Sequence, residues 1–291
     1  MKLHFFIRGA AILFALVMIT HTIAETMESS AESKIIQIEL PELGQTLATR
    51  NRGEDKPVLV TAALPKDYCA DQTYPLLVFL NGGDGGQGSD VKTPQKIAGG
   101  GAYICVNMPL FKNAIDQSES NGGIMISMKD YTILSSTFRA MLEALDRHIP
   151  NIRREGSVLG GFSNGAHTTG VLLAHADECI LSRFDHFYFI DGGFGPLAAN
   201  CMQMKALASK RFLLLHGDAL AEDGASRSFS DLAVALEKSG RRSGRDVITL
   251  PMRGYGHQNP SEYLEIIGRW VAGEDIRSIE LPVKQEPLRN E

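Results

Sequence analysis

The chain is poor in cysteine. Among its 291 residues only Cys69, Cys105, Cys179 and Cys201 occur, and they lack the close-set pairs of a zinc site. Long basic runs are also missing. With a formal net charge of -5, the chain offers no electrostatic footprint for a phosphate backbone, so nucleic acid is not an expected partner. No internal repeat and no low-complexity linker breaks the sequence, which argues against a solenoid or a string of small domains. The apolar stretch 9–19 falls short of the ~20 residues needed to cross a bilayer, and no cysteine near residue 24 invites lipid attachment.

That short apolar stretch reads instead as an export signal. Lys2 and Arg8 precede its core and Thr22-Ile23-Ala24 supplies a small-residue cleavage site, so residues 1–24 are set apart from the fold. The mature chain is expected to be secreted or periplasmic, with no membrane attachment. Residues 25–291 have an ordinary globular composition, the whole chain being 44% hydrophobic and 22% charged, and fit a single large domain. Its end, 274–291, carries Pro282 and Pro287 among charges and reads as a partly loose tail. Export makes disulfides chemically possible: Cys179 and Cys201 flank one strand and could pair, whereas Cys105 lies inside an apolar run.

Strand-like runs occur at 34–40, 58–63, 75–80, 102–108, 157–161, 187–191, 211–216 and 246–252. Several are apolar throughout, as central parallel strands are when helices cover both faces of a sheet. Between them lie helical patterns at 92–97, 130–149, 164–175, 228–238 and 261–271. In the longest, Leu134, Phe138, Met141, Leu142 and Leu145 recur at steps of three and four and form one core-facing stripe. Alternating strands and helices predict an α/β fold with a mostly parallel sheet of about eight strands. The glycine-rich stretch 82–90 and the polar stretch 112–129 read as loops.

One segment carries more chemistry than the rest. Ser157-Val158-Leu159-Gly160-Gly161-Phe162-Ser163-Asn164-Gly165-Ala166 is an apolar run ending in Gly-x-Ser-x-Gly, followed by helix-compatible residues. A serine pinched between strand and helix needs small neighbours where the two crowd together, and Gly160, Gly161, Gly165 and Ala166 provide them. Ser163 is the candidate nucleophile. A serine hydroxyl is weak at its ordinary pKa, so a histidine must take its proton and a carboxylate must orient that histidine. His257, in a loop between the last strand and a helix, has the required chain order. His167 lies one turn past the serine, His216 ends a strand, and His148, His175 and His186 fall at helix ends or in loops.

The acid should follow the strand 211–216. Asp218 is nearest that strand end, with Asp223 and Glu222 beyond it and Asp191, after the preceding strand, as a further alternative. Backbone N–H groups for a developing oxyanion are assigned to Asn164 and to Gly83, with Gly82 next. The run Gly83-Asp84-Gly85-Gly86-Gln87-Gly88 also matches Gly-x-Gly-x-x-Gly, but no acidic residue follows at the distance a ribose needs, and Lys92-Thr93 is preceded by Val91 rather than glycine. No nucleotide, metal or other cofactor is implied.

These residues resemble the α/β-hydrolase superfamily, particularly its esterase D-like and polyhydroxybutyrate depolymerase-like branches. Leu64-Pro65-Lys66-Asp67-Tyr68 and Tyr74-Pro75-Leu76-Leu77-Val78-Phe79-Leu80-Asn81-Gly82-Gly83 look like the opening of those enzymes. Two positions depart from the pattern: Asn81 stands where many relatives carry histidine, and Leu220 stands where they often carry the triad aspartate. Only a short segment separates Asp191 from Arg211, so no large cap domain is expected, although 112–129 could form a partial lid.

The resemblance implies a serine esterase acting through an acyl-enzyme on a small-molecule or polymer-linked ester. A serine peptidase of the same fold is the nearest alternative. It ranks lower because the sequence shows no gating domain of the kind oligopeptidases use. A binding protein that kept the fold and lost turnover is the third, motivated by Leu220.

Overall fold

The computed structural model describes residues 33–46, 58–83, 85, 90–112, 125–197, 202, 204–219, 225–242 and 245–285. The export-signal reading of 1–24, Cys201, Leu220, Glu222 and Asp223 lie outside the described residues, as do most of the stretches 82–90 and 112–129.

Eight strands form one sheet: β1 (Ile35–Glu39), β2 (Leu59–Ala63), β3 (Tyr74–Leu80), β4 (Ile104–Asn107), β5 (Ile152–Phe162), β6 (His186–Ile190), β7 (Arg211–Gly217) and β8 (Asp246–Met252). Their order is β1-β2-β4-β3-β5-β6-β7-β8. The contacts of β2 with β1 and β4 are antiparallel, and every pairing from β4 onward is parallel. The helices are α1 (Lys92–Ala98), α2 (Tyr131–His148), α3 (Asn164–Ala174), α4 (Glu178–Leu181), α5 (Ala225–Arg242) and α6 (Ser261–Val271).

The continuous apolar runs have a direct cause. Successive side chains of a strand point to opposite faces, and here both faces are covered. Leu76, Val78, Leu80, Phe187, Phe189, Phe212 and Leu214 join Leu134, Phe138, Met141, Val171 and Leu172 of α2 and α3 in one core. Leu77, Phe79, Tyr188, Ile190, Leu213 and Leu215 join Ile97 of α1 and Tyr263, Ile267 and Trp270 of α6 in the other. The sheet is thus a wall with apolar packing on each side, and its C-terminal strand ends are free to carry chemistry.

Two elements run longer than the sequence pattern indicates. β5 begins at Ile152, five residues before the apolar run, because Ile152 and Arg153 pair with Tyr74 and Pro75 of β3. Pairing with β6 starts only at Val158. The early residues are covered on one edge alone and can be charged, which hides them from a search for apolar runs. α5 extends beyond 228–238 at both ends and closes on the exposed Arg241 and Arg242, whose charges suit a helix C-terminus. Helix α4, unmarked by any periodicity, is a single turn capped by Asp177, whose side chain accepts the Ile180 N–H at 3.2 Å.

Candidate active site

Ser163 stands between β5 and α3 with φ 51° and ψ -116°, a left-handed backbone that a non-glycine residue adopts only under constraint. The constraint is built from both sides. The Ser163 N–H donates to Ile190 O at 3.0 Å, and its carbonyl accepts the His167 N–H at 2.8 Å. The neighbouring glycines are sterically required: a Cβ on Gly161 or Gly165 would lie 2.3 Å or 2.1 Å from Leu80 O, and one on Gly192 would lie 2.7 Å from Ser163 O. Strand, turn and helix approach too closely for any side chain at these positions.

His257 comes to this serine from 94 residues away in sequence, its Nε2 lying 2.9 Å from Ser163 Oγ. Its other nitrogen, Nδ1, lies 2.7 Å from Asp191 Oδ2. A carboxylate can only accept here, so Nδ1 carries the hydrogen and Nε2 is left bare to take a proton from the serine. Asp191 is itself fixed. It is fully buried, its N–H donates to Leu215 O at 2.8 Å, and its Oδ1 accepts the Gly217 N–H at 3.2 Å.

The carboxylate on His257 is therefore Asp191, at the end of β6, and not Asp218 after β7. Asp218 Oδ1 instead accepts the Gly254 N–H at 2.6 Å, holding the turn that leads to His257. Two backbone bonds reinforce that clasp, Ala219 N–H to Tyr255 O at 3.0 Å and Asp218 N–H to Met252 O at 3.4 Å. With its accepting oxygen committed to Gly254, Asp218 belongs to the support of the histidine loop. The readable signal for Asp191 was Asp191-Gly192-Gly193 directly after an apolar strand, where Gly192 lets the chain lie against Ser163.

Gly83 and Asn164, the two residues assigned to backbone donation, are tied together. The Asn164 side-chain amide donates to Gly83 O at 2.6 Å, while its Oδ1 accepts the Ile126 N–H at 3.1 Å. Gly83 has φ 61°, which glycine adopts freely. Gly82 sits close by: a Cβ there would be 3.2 Å from Ser163 Cβ. The sequence alone did not reveal this cross-link, nor the aromatic rings around the histidine. Phe162 lies 4.9 Å from the His257 ring centroid and Phe229 stacks at 6.0 Å.

The other histidines divide clearly. His148 Nδ1 lies 2.9 Å from Ala144 O, His175 stacks on Tyr131 at 3.9 Å, and His186 packs against Arg211 and Trp270. His216 is buried at the end of β7, where desolvation lowers its pKa. His167 is half-buried, and its pKa falls to about 4 through burial first and the nearby His257 second. Cys179 is a free, half-buried thiol and Cys105 a buried one, its pKa pushed up to about 12 by burial. Among the described residues no cluster of His, Cys, Asp or Glu could hold a metal, and no helix is long and apolar enough to cross a membrane.

Sheet order, elbow geometry and the serine, histidine and aspartate at the strand ends together define the α/β-hydrolase fold. Solved structures agree on the fold. A ferulic acid esterase from Anaeromyces mucronatus superposes with a TM-score of 0.52 at 14% identity, covering 84% of this chain and 90% of that one. An esterase from the archaeon Pyrobaculum calidifontis gives 0.51 at 13% identity, covering 87% of each chain. A candidate dipeptidyl aminopeptidase IV from Bacteroides ovatus gives 0.50 at 16% identity over 84% of this chain, which spans only 36% of that longer protein. No protein-family model and no curated protein sequence matches the chain.

Proposed function

We propose that the protein is an exported serine hydrolase that cleaves carboxylic esters through an acyl-enzyme. One observation carries the reading: the continuous line from Asp191 through His257 to Ser163, at 2.7 Å and 2.9 Å. Ser163 Oγ attacks the ester carbonyl carbon while His257 Nε2 takes its proton, and Asp191 stabilises the resulting imidazolium. The carbonyl oxygen becomes an oxyanion received by the backbone N–H groups of Asn164 and Gly83. Collapse of this intermediate breaks the bond to the leaving alcohol, which takes the proton from His257. Water, deprotonated by the same nitrogen, then releases the acid and restores Ser163.

The fold hosts many chemistries, so the choice of esters rests on the site and on the likeness of segment 64–83 to esterases. The His257 side chain is 41% exposed, which suits a bulky or polymer-linked ester reaching in from solvent. Residues 1–24 support export. The test is Ser163→Ala against wild type on matched p-nitrophenyl acetate and acetyl p-nitroanilide, with a fluorophosphonate probe alongside. The reading expects ester turnover to fall at least ~10³-fold in the variant, with labelling of wild type alone. Equal rates for both proteins would refute it, Ser163-dependent cleavage of the anilide would make the protein a peptidase, and an unlabelled, inactive wild type would make it a binding protein.

A further inference from the structure

A buried polar group lies at the root of the loop assigned to the oxyanion. Gly82 and Gly83 follow β3, and a Cβ on Gly82 would lie 3.2 Å from Ser163 Cβ, so this turn rests on the nucleophile. Two consecutive glycines rotate freely, and a backbone donor aims at a reacting oxygen only where something holds it. Asn164 Nδ2 supplies one hold, donating to Gly83 O at 2.6 Å. The Gly85 N–H supplies another, donating to Gly82 O at 3.0 Å. The third comes from the neighbouring strand. Asn81, directly before the glycines, donates through Nδ2 to Asn107 Oδ1 at 3.4 Å.

Asn107 is costly where it stands. It ends β4, is wholly buried, and pairs in register with Thr61 of β2. Register partners share a sheet face, here the one on which Ala63, Val91 and Cys105 pack. Among the described residues Asn107 Nδ2 and Thr61 Oγ1 have no hydrogen-bond partner. A buried amide left half satisfied weakens the fold, and an apolar side chain of the same size would fill the place without that penalty. Among the described residues the one bond that uses the Asn107 amide is the bond to Asn81. We propose that Asn107 is a positioning residue for the oxyanion: it holds Asn81, and Asn81 holds the Gly82–Gly83 turn in the conformation that presents the Gly83 N–H to the developing charge. This rests on the ester-hydrolase reading above.

Cutting the tether at either end tests it. Asn81 is only half-buried, so Asn81→Ala leaves the core intact, while Asn107→Leu keeps the bulk of the buried side chain. Each should lower kcat on p-nitrophenyl acetate by about tenfold, less than the ~10²–10³-fold lost when an oxyanion donor is removed outright. KM should stay within about twofold of wild type, because the hold matters only once charge develops. Affinity for trifluoroacetone, whose adduct with Ser163 carries the same oxyanion, should fall in step with kcat. The double variant should be no slower than either single one, since both cut one tether. Thr61→Val alters the same packed face without touching Asn81 and removes a hydroxyl that has no partner, so kcat should stay within about twofold. Rates counted per fluorophosphonate-labelled serine exclude misfolded protein. A kcat of Asn81→Ala within twofold of wild type, losses that multiply in the double variant, or a loss in Thr61→Val equal to that in Asn107→Leu overturns the proposal while leaving the hydrolase intact. A wild type without turnover and with Ser163 unlabelled removes the hydrolase reading and this inference with it.

Discussion

Asp191 and His257 meet at 2.7 Å although 66 residues separate them, and the carboxylate that makes this contact is wholly buried. Buried, it is held by the Gly217 N–H as well as by the imidazole, so it has one geometry and presents one tautomer of His257 to the serine. Asp191→Asn keeps the shape but removes the charge and can offer an N–H where an acceptor is needed. Turnover of p-nitrophenyl acetate should fall by about 10⁴-fold, the scale known for this change in a triad. Loss of less than tenfold would mean that another group orients the histidine.

Asp218 gives the opposite signature. It acts on the loop and not on the imidazole, so what matters is an oxygen able to accept the Gly254 N–H. Asp218→Asn retains that oxygen and should keep kcat within about threefold, with the pH–rate profile unmoved. Asp218→Ala frees the turn and should cost about 1 kcal/mol of stability, in the range of one hydrogen bond. Melting and steady-state kinetics on the same two variants check both statements. An Asn variant as damaged as Asp191→Asn would return Asp218 to the triad.

The contrast shows what the sequence could and could not disclose. All eight strands were legible, the inner ones because they carry apolar runs shaped by burial on two faces and the edge strand β1 from its isoleucines although only Ile38 is buried, and Ser163 and His257 were legible because their motifs and order are fixed by the chain path. The acid was not. Asp191 and Asp218 follow neighbouring parallel strands, whose axes in any sheet lie only about 4.8 Å apart, and either loop end could reach one histidine. Periodicity carries no information on that choice, which is made by the tilt of loops. The Asn164 cross-link and the rings of Phe162 and Phe229 were hidden for the same reason: each is a contact between residues brought together only by tertiary packing.

Gly165 tests whether the serine turn depends on close packing. A Cβ there would meet Leu80 O at 2.1 Å and Leu80 C at 2.5 Å, and backbone of a central strand cannot swing aside as a flexible side chain would. Gly165→Ala should destabilise the fold by at least the ~1–3 kcal/mol typical of an overfilled core, and shift Ser163 enough to abolish fluorophosphonate labelling. Gly83→Ala, where a Cβ would meet nothing within 4 Å, provides the control for added bulk alone. Its φ of 61° makes it strained but not blocked, so it should lower the melting temperature less. Equal melting temperatures for wild type and Gly165→Ala would show that the turn has room to spare.

Acid should weaken the fold over a window set by histidines. Burial lowers the pKa of His167, His186 and His216 from the ordinary 6.5, that of His167 to about 4. Each is then neutral in the folded chain at a pH where the unfolded chain has already bound a proton. The unfolded state holds more protons between those limits, so stability rises with pH there. The contribution of His167 is complete above about pH 6.5 and drains away as the pH falls toward 4, and His186 and His216 act in the same direction. Melting temperature should be level between pH 7 and pH 8 and decline below 6.5. His167→Gln, which has no proton to gain, should decline less steeply, so that the difference between variant and wild type changes with pH. A constant difference from pH 8 to pH 4.5 would mean that His167 takes its proton as readily folded as unfolded, and that it stands in water and not against Ser163.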